Sequence, residues 1–298
     1  QYANGCGRFD ILPVALFYYL YAPDVIEWPT TEEGKPSFKL EELNRVNQWV
    51  QGRAHEAMTD VEATVALAKH LRLNRPMWKY LMGYFDKHED QRRIIGLMSQ
   101  SAPYQGVGIM VSLRYGYKQR YQLPVMHIGA HHLYKNQSVF LRLDKPIELT
   151  EAALEKLVVK KKAGEPGFVL PYIDKYVSKL PGDTLKIVEE NLKVLQSADV
   201  QALMQHCRHL TFESPANVDL DAGLYNQGFL SQDEINWCEQ FHLAQSKARG
   251  ELLEQVSPGA LREQALRYLW RYMPEQIPLS MQTAALELNI QSKKYALA

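Results

Sequence analysis

A histidine and an aspartate five positions apart, His55 and Asp60, stand within the run Arg53-Ala54-His55-Glu56-Ala57-Met58-Thr59-Asp60-Val61-Glu62. An imidazole titrates near neutrality and can take a proton from water. A carboxylate is a hard oxygen ligand for a divalent cation. Side by side, the two groups equip a site for metal-assisted hydrolysis of a phosphodiester. Met58, Val61, Val65, Ala68 and Leu71 recur at spacings of three and four, which predicts the buried face of a helix. Asp60 lies one position off that stripe, roughly 100° around from Val61, and is placed to look past the core edge into a cleft. On one ideal helix His55 would stand about 140° from Asp60, so the two share a site only if His55 sits in the loop leading into the helix. By itself this spacing is common by chance.

A second pattern lies further along. Arg114, Lys118 and Arg120 interleave with Tyr115, Tyr117 and Tyr121. Cations beside aromatic plates are what single-strand binders use to hold phosphates and stack bases, although tyrosines also serve simply as half-buried strand residues. Net charge is zero over the 298 residues, but unevenly spread. Residues 75–180 carry 17 basic and 9 acidic side chains, whereas the segments before and after are both net acidic. A basic middle between acidic flanks is the pattern of an electrostatic strip for a nucleic-acid backbone.

The elements that must position these residues are legible in outline. Asp10 caps an apolar run from Ile11 to Tyr21, too short to span a membrane and read as a core helix with Pro13 in its first turn. Ser37 is the expected cap of the next helix. From Tyr104 to Tyr121, partial alternation and glycines predict twisted strands. Further strands are predicted over Gln122 to Ile128, Ser138 to Leu143 and Gly167 to Tyr176. A helix near Thr150 to Lys161 interrupts them and carries Lys160, Lys161 and Lys162 at its end. Beyond residue 184 the periods are helical: Leu185, Val188, Leu192 and Leu195, then Leu230 to Ala248, then Leu261, Ala265, Leu266, Leu269 and Trp270. Cys6, Cys207 and Cys238 form no Cys-x-x-Cys pair and suit a reduced cytoplasm. His127, His131 and His132 lack a completing acid or cysteine for a metal, and Asp219 and Asp221 read as turn formers.

Ile26-Glu27-Trp28-Pro29, Gly34-Lys35-Pro36-Ser37-Phe38-Lys39-Leu40-Glu41-Glu42-Leu43 and the His55 to Asp60 block follow one another closely. Together with Arg75-Pro76-Met77-Trp78-Lys79-Tyr80-Leu81, Asp86-Lys87-His88, Asn217 to Asn226 and Gly228-Phe229, this order resembles the exodeoxyribonuclease I family. These are bacterial 3′→5′ single-strand DNA exonucleases of the DEDD superfamily. The resemblance implies a mixed α/β plus α+β multidomain chain. Residues 1–73 would be the C-terminal part of a ribonuclease H-like exonuclease domain. Residues 74–182 would be a Src-homology-3-like β-barrel with an inserted helix, and 183–298 an incomplete helical domain.

The resemblance also implies two Mg2+ ions held by four carboxylates, with His55 as general base and Asp60 as the last metal ligand. Lys39 and Lys87 match basic DNA-contacting positions. The residues expected to face DNA are Lys39, Lys87, Arg114, Tyr115, Lys118, Arg120, Gln137 and Lys179. The only Asp-x-Glu in the sequence is Asp60-Val61-Glu62 itself, so the family's first two carboxylates and its middle aspartate have no counterpart. The expectation is an N-terminally truncated, inactive fragment of a monomeric, cytoplasmic bacterial enzyme that degrades single-stranded DNA to 5′-mononucleotides in repair and recombination. The alternative is a non-catalytic single-stranded DNA-binding module. The family implies single-stranded DNA-binding protein as a partner, and no membrane.

Overall fold

The computed structural model describes residues 7–50, 57–196, 200–211, 219–223, 228–245 and 247–287. It divides into two compact units, Gln1–Thr211 and Phe212–Ala298.

The first unit opens with α1 (Ile11–Tyr21), whose first turn is closed by the Asp10 carboxylate accepting from the Leu12 amide at 2.9 Å. Pro13 falls among the first residues, where no intrahelical donor is needed. Val14, Leu16, Phe17 and Tyr18 are buried, as the apolar run predicts; each such side chain contributes roughly 1.5–3 kcal/mol. Then come α2 (Leu40–Asn47), α3 (Ala57–Leu71), α4 (Arg75–Met82) and α5 (Lys87–Gly96). Ser37 does not cap α2. The helix begins at Leu40 behind Lys39, and the Ser37 hydroxyl instead accepts from the Lys39 amide at 3.4 Å.

The buried face of α3 also differs from the expected one. Leu71 packs inward as expected, but Ala63 and Leu67 complete the buried face, while Met58, Val61 and Val65 are 63%, 54% and 46% exposed. Both sets satisfy helical spacing, because α3 is apolar on two sides. Only packing against α1 and α2 selects between them.

A five-stranded antiparallel sheet follows: β1 (Val107–Val111), β2 (Gln122–Ala130), β3 (Gln137–Arg142), β4 (Val158–Lys162) and β5 (Phe168–Pro171), in the order β4-β3-β2-β1-β5. Both faces of β1 are covered, so all five of its residues are buried. Ile109 and Val111, with Phe168 and Leu170 of β5, join the core of α1 and of Leu67, Leu71, Leu81 and Tyr84. Met110 and Val169 face the other way, onto Leu123, Val125, Phe140, Ile94 and Leu97. The alternation is the period-2 rule with both faces buried.

The helix predicted over Thr150 to Lys161 is shorter. Thr150 does cap α6 (Glu151–Glu155), accepting from the Ala153 amide, but the chain then turns and enters β4. Val158 and Val159 are β-branched, and pairing with Leu141 and Phe140 on β3 places Lys160 to Lys162 on a strand. The strand predicted within Tyr104 to Tyr121 ends at Val111 and gives way to two 3₁₀ turns at Leu113–Tyr115 and Tyr117–Gln119. The strand predicted over Gly167 to Tyr176 stops at Pro171, before α7 (Asp174–Val177). In α8 (Thr184–Val194) most of the expected stripe is present: Val188, Leu192 and the capping Leu195 are buried beside Cys207 of α9 (Val200–His209), while Leu185 is half-buried against the core of α1.

In the second unit, α10 (Gln232–Leu243) starts from a capping box in which Ser231 and Glu234 exchange backbone bonds. The helical run predicted to Ala248 is broken after Leu243, and α11 (Lys247–Gln255) starts anew before α12 (Ala260–Tyr272). Phe241, Leu253, Leu266 and Leu269 form its core. Asp219 closes an Asx turn onto the Asp221 amide at 3.0 Å. Its other oxygen takes 2.8 Å from the Arg267 guanidinium, which also binds Glu263.

Candidate nucleic-acid interface

The loop between β1 and β2 brings the interleaved cations and tyrosines to one place. Gly116 has φ +73° and its carbonyl accepts from the Tyr121 amide at 2.9 Å. Arg120 and Tyr121 then take φ of +48° and +57° in succession. Left-handed backbone costs a non-glycine residue roughly 1–2 kcal/mol, and such conformations persist where the surroundings over-determine them. Here they are fixed by Arg120 N–H donating to the Tyr117 carbonyl at 2.8 Å and by Ser112 N–H donating to the Tyr121 carbonyl at 3.0 Å.

The next residue, Gln122, is fully buried. Its Oε1 accepts from the Tyr21 hydroxyl at 2.7 Å, and its Nε2 donates to the Lys179 carbonyl at 3.1 Å. Arg120 Nη1 donates to the same carbonyl at 3.3 Å. One buried amide therefore ties α1, β2 and the segment after α7 together. Around it lies a cavity of about 540 Å³ whose wall includes Lys118, Arg120, Lys179, Tyr19, Tyr117 and Tyr121. No acidic side chain is among the described residues lining it. Tyr121 is buried, in edge contact with Phe38 and 6.3 Å from the Tyr117 ring. Tyr117 is 44% exposed. Burial, and secondarily the nearby Tyr117, push the Tyr19 hydroxyl upward, so Tyr19 stays a neutral donor at physiological pH.

The other expected DNA-facing residues fall elsewhere. Arg114 and Tyr115 form a self-contained stack, the guanidinium 4.9 Å from the ring centre and the hydroxyl 2.9 Å from Met110 Sδ. Desolvation raises the Tyr115 hydroxyl. Lys39 is exposed ahead of α2 and lines neither this cavity nor the one beside Asp60. Lys87 begins α5 and packs on Gly164, where a Cβ would come within 2.8 Å of its Cγ. Gln137 pairs with Lys162 at the far edge of the sheet.

Lys161 is internal, its Nζ 2.7 Å from Asp90 Oδ2 with both side chains buried. That oxygen also accepts from the Gly164 amide at 2.8 Å, which pins the β4–β5 turn to α5. His131 is likewise structural: Nε2 meets the Leu210 carbonyl at 3.0 Å while Nδ1 receives the Leu133 and Tyr134 amides.

Asp60 lines a second cavity of about 540 Å³, together with Thr59, Glu41 and Glu42. Glu42 is clamped by Arg45 at 2.7 Å. His55 lies outside the described residues. Among the described residues no group of three or more His, Cys, Asp or Glu side chains could hold a metal ion. A two-magnesium cage needs several oxygen ligands per ion, and these residues do not fit one. Sequence reasoning missed Tyr19, Tyr21 and Gln122; the tyrosines inside the apolar α1 run were the available signal, since such residues bury a ring and present a polar tip.

No protein-family model matches the chain. The chain is 40% identical to exodeoxyribonuclease I of Escherichia coli (strain K12) over 84 residues, which is 28% of this chain and 18% of that protein. The structure of E. coli exonuclease I in complex with a dA16 oligonucleotide superposes with a TM-score of 0.69 at 22% identity, covering 97% of this chain and 66% of that one. A complex of SSB and exonuclease I with the inhibitor CFAM gives 0.68 at 22% identity, covering 94% and 62%. The matched stretches thus span less than two thirds of each relative. The fold, mixed helix with one antiparallel sheet, is that of exonuclease I. By sequence the chain is exodeoxyribonuclease I-like, matched over part of that protein's length. No helix among the described residues is long and apolar enough to cross a membrane.

Proposed function

We propose that this chain is the strand-holding portion of a single-stranded DNA exonuclease, and that the Lys118–Arg120–Lys179 cavity contacts the DNA. One observation carries the reading: cations about sixty residues apart in sequence converge on one cavity beside the exposed Tyr117 ring. Phosphates would pair with the cations and bases stack on tyrosine, independent of sequence. Lys87 and Gln137 would extend the path, with Lys39, Arg114 and Tyr115 as lesser contributors.

In the same reading the whole enzyme cuts 3′→5′ and releases 5′-mononucleotides in repair and recombination. His55 takes the proton from the attacking water, and Asp60 is one carboxylate of a two-Mg2+ set. Residues 1–73, 74–182 and 183–298 are then the exonuclease remainder, the Src-homology-3-like barrel and the helical domain. The protein works as a monomer in the bacterial cytoplasm, with single-stranded DNA-binding protein as partner. Because Asp60 is the only counterpart of that carboxylate set in this sequence, we expect the polypeptide alone to bind DNA without cutting it. That outcome is shared with a second reading, a non-catalytic DNA-binding module, which the cation cavity would serve equally.

Fluorescence anisotropy with a labelled dT16 strand tests the proposal. Arg120→Ala with Lys179→Ala should weaken binding at least tenfold, and should lower the slope of log affinity against log salt by about 0.7 per lost phosphate contact. Unchanged affinity and slope would remove the cavity from the DNA path. In a form of the protein that cuts DNA, His55→Asn should abolish cleavage and retain binding; cleavage at the parent rate would exclude His55 as the base.

A further inference from the structure

The cavity is half open to solvent, and its volume is one that a single ligand would fill. Proteins that track single strands do so along open grooves, at roughly 4–16 nucleotides per binding fold. Here the space is a pocket of about 540 Å³, within the range of about 300–1,000 Å³ typical of sites for one small ligand. Gln122 lines it from beneath, fully buried, with its amide oxygen bonded by the Tyr21 hydroxyl and its amide nitrogen bonded to the Lys179 carbonyl. Its wall presents three cations and the exposed ring of Tyr117.

Resting on the DNA-binding reading above, we propose that this cavity seats a single nucleotide unit, a nucleoside 5′-monophosphate, with its base on Tyr117 and its phosphate between Arg120 and Lys179. The Arg120 guanidinium is suited to the second task. It carries five N–H donors in a planar fork; one of its nitrogens, Nη1, is held by the Lys179 carbonyl, which fixes the plane. Its left-handed backbone and that of Tyr121 turn the loop back at this point, a strain of the kind that marks ligand clamps. Lys118 adds a third positive charge, so a dianionic phosphate is favoured over a diester monoanion. Because the Gln122 amide is committed to Tyr21 and Lys179, the floor has little left to read a base edge. The site should therefore accept purine and pyrimidine nucleotides alike. A pocket for the mononucleotide would let the product of strand degradation compete with the strand for the same cations.

Isothermal titration of the chain with dTMP, dAMP, thymidine and inorganic phosphate, with dTMP competition against labelled dT16, decides this. The expected result is dTMP binding at least tenfold tighter than thymidine or phosphate, with dAMP within threefold of dTMP. Arg120→Ala and Tyr117→Ala should each weaken dTMP at least fivefold, while Tyr117→Phe stays within twofold because the ring and not the hydroxyl does the stacking. Equal melting temperatures of Tyr117→Ala and Tyr117→Phe confirm that the loss is local. If dT16 binds through Arg120 but millimolar dTMP neither binds nor competes, the single-nucleotide proposal falls and the DNA reading stands. If an acidic peptide with a free C-terminal carboxylate displaces dT16 where dTMP does not, the pocket is a peptide site and the proposal falls. If neither dTMP nor dT16 binds, both readings fall.

Discussion

Lys161 Nζ sits 2.7 Å from Asp90 Oδ2 with both side chains essentially sealed from solvent. Burial pushes the Asp90 carboxyl up and the Lys161 amine down, in each case outweighing the pull of its partner. Such a pair adds little net stability, yet removing one member strands a buried charge, at about 3–5 kcal/mol. Asp90→Ala should therefore lower stability by about that amount in urea denaturation. Asp90→Leu combined with Lys161→Met should be markedly milder than the sum of the single losses. Additive losses would mean the two side chains act independently.

His127 packs against the Phe140 ring on the sheet. Burial, then the Arg208 charge, push its imidazole down to about 4 from 6.5. The unfolded chain takes a proton below about 6.5, whereas the folded chain resists until about 4. Stability is thus lost as pH falls through that window, by about 3 kcal/mol from this group. His127→Leu should flatten the acid limb of a plot of melting temperature against pH; an unaltered limb would place the titrating group elsewhere.

His206 behaves in the opposite sense. It meets Glu155 at 2.8 Å and Glu151 at 3.8 Å, joining α9 to α6. The hydrogen bond to Glu155 is the main cause that raises its imidazole. The contribution is fully present below the unfolded value near 6.5 and disappears as pH rises through the elevated folded value. The melting-temperature difference between the parent and His206→Gln should shrink on going from pH 6 to pH 9, and a constant difference would contradict the clamp.

Arg120 and Tyr121 hold left-handed backbone without being glycine. Arg120→Gly should relieve about 1 kcal/mol of local strain while reducing dT16 affinity at least fivefold. Stability and binding would then move in opposite directions. If both fall together, the conformation is not strained in this setting.

What the sequence revealed depended on how local the cause was. Helix α1 was legible because its cap, its proline and its apolar run all lie between Asp10 and Tyr21. The stripe of α8 was legible for the same reason. The packed face of α3 was legible only at Leu71, since Ala63 and Leu67 recur at helical spacing just as Met58, Val61 and Val65 do. Strand β4 was hidden by its lysines: Lys161 is buried only because Asp90, seventy-one positions earlier, meets it there. The candidate site divides the same way. Lys118, Arg120, Tyr117 and Tyr121 are close in sequence and announced themselves by alternation, whereas Tyr19 reaches the cavity, and Tyr21 the Gln122 amide beneath it, only through tertiary packing.

The outward-facing Met58, Val61 and Val65 give ionic strength two opposed effects on this molecule. Added salt screens the cations of the loop and weakens their hold on phosphate. Sulfate and similar excluded ions also strengthen the tendency of apolar surface to leave water, which favours any state that buries this face. A salt titration of DNA affinity run in sulfate would blend strand release with the response of this apolar face and return a slope that belongs to neither. Chloride salts keep the two apart.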